Sequence, residues 1–168
     1  MALPGKGAVA IWHDIAPEGR DQFYAWHGQE HMPERVAIPG FLRGRRYVAV
    51  AGAPEYFNLY ETGSTAVLAG RDYLDRLDHP TPWTTATVTH FRGVARSLCE
   101  VDCTFGEGEG GLVATFRYDV PHAGASATSA PAFFSRAPGS QSSSVVLRMS
   151  AMVRACQASI CSSMSSLS

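Results

Sequence analysis

Phe91-Arg-Gly-Val-Ala-Arg-Ser-Leu-Cys-Glu-Val-Asp-Cys-Thr-Phe105 is the stretch on which the fold turns. Its odd positions, Phe91, Gly93, Ala95, Ser97, Cys99, Val101, Cys103 and Phe105, are apolar or small, while Arg92, Arg96, Glu100 and Asp102 stand among the even ones. Side chains alternate between faces along a strand, so a period of two held this long predicts one long, half-buried strand. Upstream, Glu55 to Glu61 reads as a short aromatic strand with Tyr56, Asn58 and Tyr60 facing opposite to Phe57 and Leu59. After the Pro39-Gly40 turn, Phe41 to Val50 alternates too. It places Phe41, Arg43, Arg45 and Tyr47 on one face and Leu42, Arg46, Val48 and Val50 on the other. Ala51-Gly52-Ala53-Pro54 joins these two strands as a hairpin.

The remaining segments alternate with these strands. Gly7-Ala-Val-Ala-Ile-Trp-His-Asp-Ile15 is an apolar run of strand length, and Pro17 suits the first turn of the helix that follows. That helix runs from Glu18 to His31 and ends or kinks at Pro33, which lacks a donor and pushes Met32 away from the α region. Ser64 is placed as the N-cap of a second helical region reaching Leu77, interrupted at Gly70. A break at His79-Pro80-Thr81-Pro82 precedes a short helical turn at Trp83. The order β-α-β-β-α-β predicts an α+β, ferredoxin-like unit.

Composition divides the chain of 168 residues unevenly. Residues 1–120 hold 11 basic and 15 acidic residues, a net charge of −4, whereas residues 121–168 hold three arginines, no acidic residue and 14 serines. A slightly acidic body argues against a nucleic-acid footprint, which needs a clustered basic face. The N-terminus has no apolar run of signal-peptide length and no stretch of about 18 apolar residues occurs, so no membrane partner and a cytoplasmic setting are expected. Cys99 and Cys103 on one strand are too far apart to bridge, and all four cysteines read as free thiols.

The chain is thus expected to comprise a domain at 1–105, a Gly-rich linker and the start of a truncated second repeat at 106–120, and a Ser/Ala-rich tail at 121–168. The repeat rests on the likeness of Gly111-Leu-Val-Ala-Thr-Phe-Arg-Tyr118 to Gly7-Ala-Val-Ala-Ile-Trp-His-Asp14. The tail reads as disordered, as weakly helical from the spacing of Val146, Met149, Val153, Cys156 and Ile160, or as an out-of-frame translation of GC-rich DNA.

Chemistry-bearing residues concentrate at Tyr24-Ala-Trp-His-Gly-Gln-Glu-His-Met-Pro-Glu-Arg35. On a helix His27, Glu30, His31 and Glu34 share one face. His27-x-x-Glu30-His31 has the spacing of an inverted zinc-protease motif, in which two histidines bind the metal and the glutamate activates water. That alternative, a zinc hydrolase, needs a third ligand from a distant helix and a much larger catalytic domain, and Pro33 breaks the helix just after His31. The bland alternative is a solvated helix face.

Trp26-His27-x-x-Glu30-His31-x-Pro33-Glu34-Arg35, followed by Pro39-Gly40-Phe41-x-Arg43-x-Arg45-Arg46-Tyr47, resembles the EthD-like group of the dimeric α+β barrel superfamily over roughly residues 7–105. The resemblance implies two ferredoxin-like units pairing their sheets into a barrel, here a homodimer through sheet pairing or two tandem repeats, around an internal pocket. It implies His31 and His27 as acid/base residues, with Arg45 or Arg46 holding an oxyanion or a substrate carboxylate. Trp26, Tyr47, Tyr56 and Tyr60 would line an aromatic pocket. The activity implied is cofactor-free dehydration, cyclisation or oxygenation of a small aromatic or polyketide-like molecule, with no metal. No histidine is singled out as a haem ligand. The rival reading is a non-catalytic binding or interaction domain.

Overall fold

The computed structural model describes residues 3–105, 111–115 and 144–149. Strand β1 (Gly7–Ile15) leads through a 3₁₀ turn at Pro17–Gly19 into α1 (Arg20–Trp26), a π-helical turn (His27–His31) and α2 (Met32–Val36). The hairpin β2 (Phe41–Val48) and β3 (Tyr56–Thr62) follows. A 3₁₀ turn at Thr65–Ala69, α3 (Arg71–Asp78) and α4 (Pro82–Val88) lead into β4 (Phe91–Phe105), and β5 is Ser144–Met149. The sheet is wholly antiparallel in the order β2-β3-β1-β4-β5. The first four strands come from residues 7–105, and β5 extends the edge beside β4.

Nearly all of β1 is buried, because it is central and covered on both faces, which is why its sequence runs apolar instead of alternating. On the helix-facing side Val9 packs with Ile38, Phe41, Tyr60, Leu68 and Tyr73, and Ile15 with Phe23, Trp26 and Tyr56. The far side holds Leu3, Ala8, Ala10, Trp12, Phe57, Leu59, Cys99 and Val101. None of these is more than 9% exposed, and Trp12 Nε1 donates to Thr115 Oγ1 at 3.1 Å.

That far side corrects the barrel expectation. The sheet is open, with β2 and β5 at its two edges. The face that a dimeric barrel would turn toward a partner's sheet is already buried within this chain. The protein is therefore a mixed α+β fold with an open antiparallel sheet, not a ferredoxin-like unit of a dimeric α/β barrel. The pattern of elements constrained local structure and said nothing of what covers the second face.

Two strands change face along their length. Arg43, Arg45 and Tyr47 share the far side as parity requires, but Phe41 joins the helix-side core because a bulge at Leu42 shifts the register by one. In β4 the irregularity lies opposite His13, between the pairs Trp12↔Ala95 and Asp14↔Arg92. Gly93 takes φ +57° there, and Phe91 consequently packs with Ile15 and Phe23 on the helix side.

Other elements also depart from expectation. Gly70 ends the 3₁₀ turn and α3 starts afresh after it, so the second helical region is two pieces. Helix α4 extends beyond one turn, capped by Thr81 Oγ1, which accepts from the Thr84 N–H at 3.0 Å. Residues 111–115 are not in a strand, and the rest of the 106–120 segment read as the start of a second repeat lies outside the described residues. Ser144–Met149 is extended and pairs with β4, where the spacing had allowed a helix. The rest of the 121–168 tail, with Cys156 and Cys161, lies outside the described residues.

Candidate functional site

The first helix does not stop at Pro33. Proline supplies no N–H, and in an unbroken α-helix its ring would collide with the carbonyl four residues earlier. The chain instead widens into the π-helical turn His27–His31 and restarts as α2 with Pro33 in its first turn. The turn sets two imidazoles against the sheet, with ring centroids 5.7 Å apart.

His27 is 2% exposed, and its Nε2 shares a 3.1 Å hydrogen bond with the Tyr60 hydroxyl on β3. His31 stacks on Trp26 with centroids 4.3 Å apart, and its buried Nδ1 has no hydrogen-bond partner. Trp26 is anchored from α4, its Nε1 donating to Thr84 Oγ1 at 3.1 Å. Thr81 and Thr84 in turn donate to Glu30 Oε1 at 2.5 and 3.4 Å. Glu30 is therefore engaged at the start of α4, and among the described residues no three His, Cys, Asp or Glu side chains gather as a metal-ligand set.

A third imidazole, which the sequence reading passed over, completes the group. His13 on β1 is fully buried, with Nε2 2.9 Å from Asn58 Nδ2 and its ring stacked on Tyr56 at 5.3 Å. Parity along β1 was the available signal, since His13 shares a face with Val9 and Ile11, and that face meets Tyr56, Asn58 and Tyr60 of β3.

Burial keeps all three rings neutral at pH 7. Desolvation lowers His13 from 6.5 to about 4. His27 falls to about 3, first from desolvation, then from the Arg46 charge and His13. His31 lies well below 6.5 from desolvation, then Arg35 and His27. Burial also pushes the Tyr60 phenol well above its usual range, so it stays protonated.

The β2 arginines divide between the two faces. Arg43 grips Glu61 with two hydrogen bonds of 2.7 and 2.9 Å. Arg45 reaches the same carboxylate at 3.7 Å and donates to the Tyr47 hydroxyl at 3.1 Å. Arg46 lies over aromatic faces instead, 4.5 Å above Tyr24 and 5.5 Å above Phe23. Its Nη1 is buried and makes no hydrogen bond.

Between the π turn and β2 lies a cleft of about 260 Å³ lined by His27, Gly28, Met32, Gly44, Arg45 and Arg46. Gly44 permits the close approach of these two walls, because a Cβ there would stand 2.1 Å from Met32 Sδ and 3.1 Å from the Tyr60 ring. Of the residues singled out in the sequence, His27, Arg45 and Arg46 thus meet at one cleft, and Tyr60 supports it through His27. His31 and Trp26 form the adjoining stack. Tyr56 is fully buried beside His13, and Tyr47 stacks on Phe57 on the far side of the sheet at 5.8 Å. Met32, Gly28 and Gly44 were not anticipated; only their place opposite one another in the fold marks them.

These local duties account for the tryptophan, histidine, glutamate and proline of the motif without any wider kinship. No family model, no curated protein and no solved structure matches this chain, and membership of the EthD-like family, expected from that motif, is withdrawn accordingly.

Proposed function

We propose that the cleft binds a small enolisable or phenolic molecule and that His27 moves a proton on it without a cofactor. The observation that carries this is a neutral, Tyr60-bonded imidazole in the wall of the same cleft as the guanidinium of Arg46. At rest His27 is a weak base, in part because Arg46 stands beside it. When a substrate C–H bond breaks, the proton goes to the imidazole and the electron pair to the carbonyl oxygen. An oxyanion formed against Arg46 offsets the repulsion that had depressed His27, so basicity rises as charge develops. Returning the proton at another atom is a step common to dehydration and cyclisation.

No described helix is long and apolar enough to cross a membrane, and the free thiols of Cys99 and Cys103 support a cytoplasmic setting. The test is solvent deuterium incorporation into the methyl group of an aryl methyl ketone, followed by mass spectrometry. The wild type should exceed both His27→Gln and the buffer blank by at least about 100-fold, the usual scale of one positioned acid–base group. Equal rates for wild type and variant would leave only a binding domain.

A further inference from the structure

We propose that the cleft is the seat of a one-ring aromatic carboxylate or enolate carrying a single negative charge, with its oxyanion on the Arg46 guanidinium. This rests on the cleft assigned above and deepens it by naming the ligand class.

Charge pairing across the hairpin carries the argument. Glu61, 1% exposed, takes Arg43 and Arg45 together, and Glu55 takes Arg20 through two hydrogen bonds of 2.7 and 2.8 Å. Among the described residues Arg46 alone of the three β2 arginines has no carboxylate. Its opposite residue on β3 is Asn58, an uncharged amide, and the side chains facing it from the helices are Phe23, Tyr24 and neutral His27. Ring faces stabilise a guanidinium only partly, and a buried N–H donor with no acceptor is costly. A carboxylate or enolate oxygen entering the cleft would supply that acceptor.

The walls narrow the class. Gly28, with nothing within 4 Å of where a Cβ would stand, and the thioether of Met32 leave an apolar wall on which a ring can lie. At about 260 Å³ the space is below the roughly 300–1,000 Å³ of drug-sized sites, which limits the ligand to about one ring. A single unpaired guanidinium matches a single anionic group.

Benzoate, benzamide and acetate distinguish the requirements, read as amide and imidazole chemical-shift changes in the full chain. Benzoate should shift His27, Gly28 and Gly44 saturably. Benzamide, with the same ring and no charge, and acetate, with the same charge and no ring, should bind at least about tenfold more weakly, because a charge-assisted hydrogen bond to one guanidinium is worth about that factor. Arg46→Met should lose the benzoate response, with Arg46→Lys retaining part of it. Benzamide binding as well as benzoate, or an unchanged benzoate response in Arg46→Met, would overturn the proposal, as would no benzoate shift at all. Benzoate has no carbon acid to exchange, so this result stands apart from whether His27 moves a proton.

Discussion

Lowering the pH from 7.5 to 5.0 should remove about 4 kcal/mol of folding stability through His13 and His27 alone. Both rings are buried and neutral, with folded values of about 4 and about 3 against an ordinary 6.5. A histidine whose folded value is depressed takes up its proton first in the unfolded chain. Its stabilising contribution is complete above about pH 6.5, shrinks as the pH falls below that value, and stops changing only below the folded value. At pH 5.0 the unfolded ring is almost fully protonated while the folded ring is almost fully neutral, so each histidine costs about 2 kcal/mol at 1.36 kcal/mol per pH unit. His31 acts in the same direction. Stopping at pH 5.0 keeps most carboxylates ionised, which isolates the imidazoles. Urea unfolding followed by tryptophan fluorescence at the two pH values gives the difference directly, and His27→Gln should reduce it by about 2 kcal/mol. A change below about 1 kcal/mol, or histidine titrations in the folded protein near 6.5, would refute the claim that these rings are held neutral by burial.

Four further outcomes follow from contacts around the cleft and the sheet. Gly44→Ala should cost about 1–3 kcal/mol by driving a Cβ into Met32 Sδ, and combining it with Met32→Ala should recover part of the loss in the same unfolding assay. Thr84→Val keeps the shape but strands the buried Trp26 N–H, for a loss of about 1–3 kcal/mol measured by thermal denaturation. Glu61→Gln should destabilise by about 3 kcal/mol, because Arg43 and Arg45 would be left half-buried without their carboxylate; added salt should change this little. Arg46→Met should raise the urea midpoint while abolishing the benzoate response.

Where residues decide structure locally, the sequence was readable. The parity of Tyr56, Asn58 and Tyr60 against Phe57 and Leu59 places them as β3 does, because a hairpin strand pinned on both sides cannot slip without exposing an aromatic ring. Phe41 and Phe91 were misplaced since a bulge adds one residue to a strand and leaves no trace in the hydrophobic pattern. Pro33 was rightly seen as a disturbance, yet the chain absorbs it in the preceding turn and continues to Val36. Histidines at 27 and 31 were prominent because they cluster in sequence. His13 joins them only through the pairing of β1 with β3, a long-range register that no short motif encodes.

The disagreement between stability and residue choice is itself informative. Several groups follow ordinary rules: Arg20 and Arg43 have bidentate carboxylates, Trp12 and Trp26 have acceptors, and α4 has its cap. Around the π turn the rules lapse together. Three imidazoles lose their water, a guanidinium lacks an anion, and His31 Nδ1, Arg46 Nη1 and Asn58 Oδ1 make no hydrogen bond. Apolar side chains of similar size would pack this region at lower cost, since replacing buried charged groups by well-packed hydrophobic ones is often stabilising. If packing alone had shaped the region, Arg46→Met should be harmless in every respect. If a ligand shaped it, the same change should gain stability and lose binding together, because the group that is costly without an anion is the group that holds one.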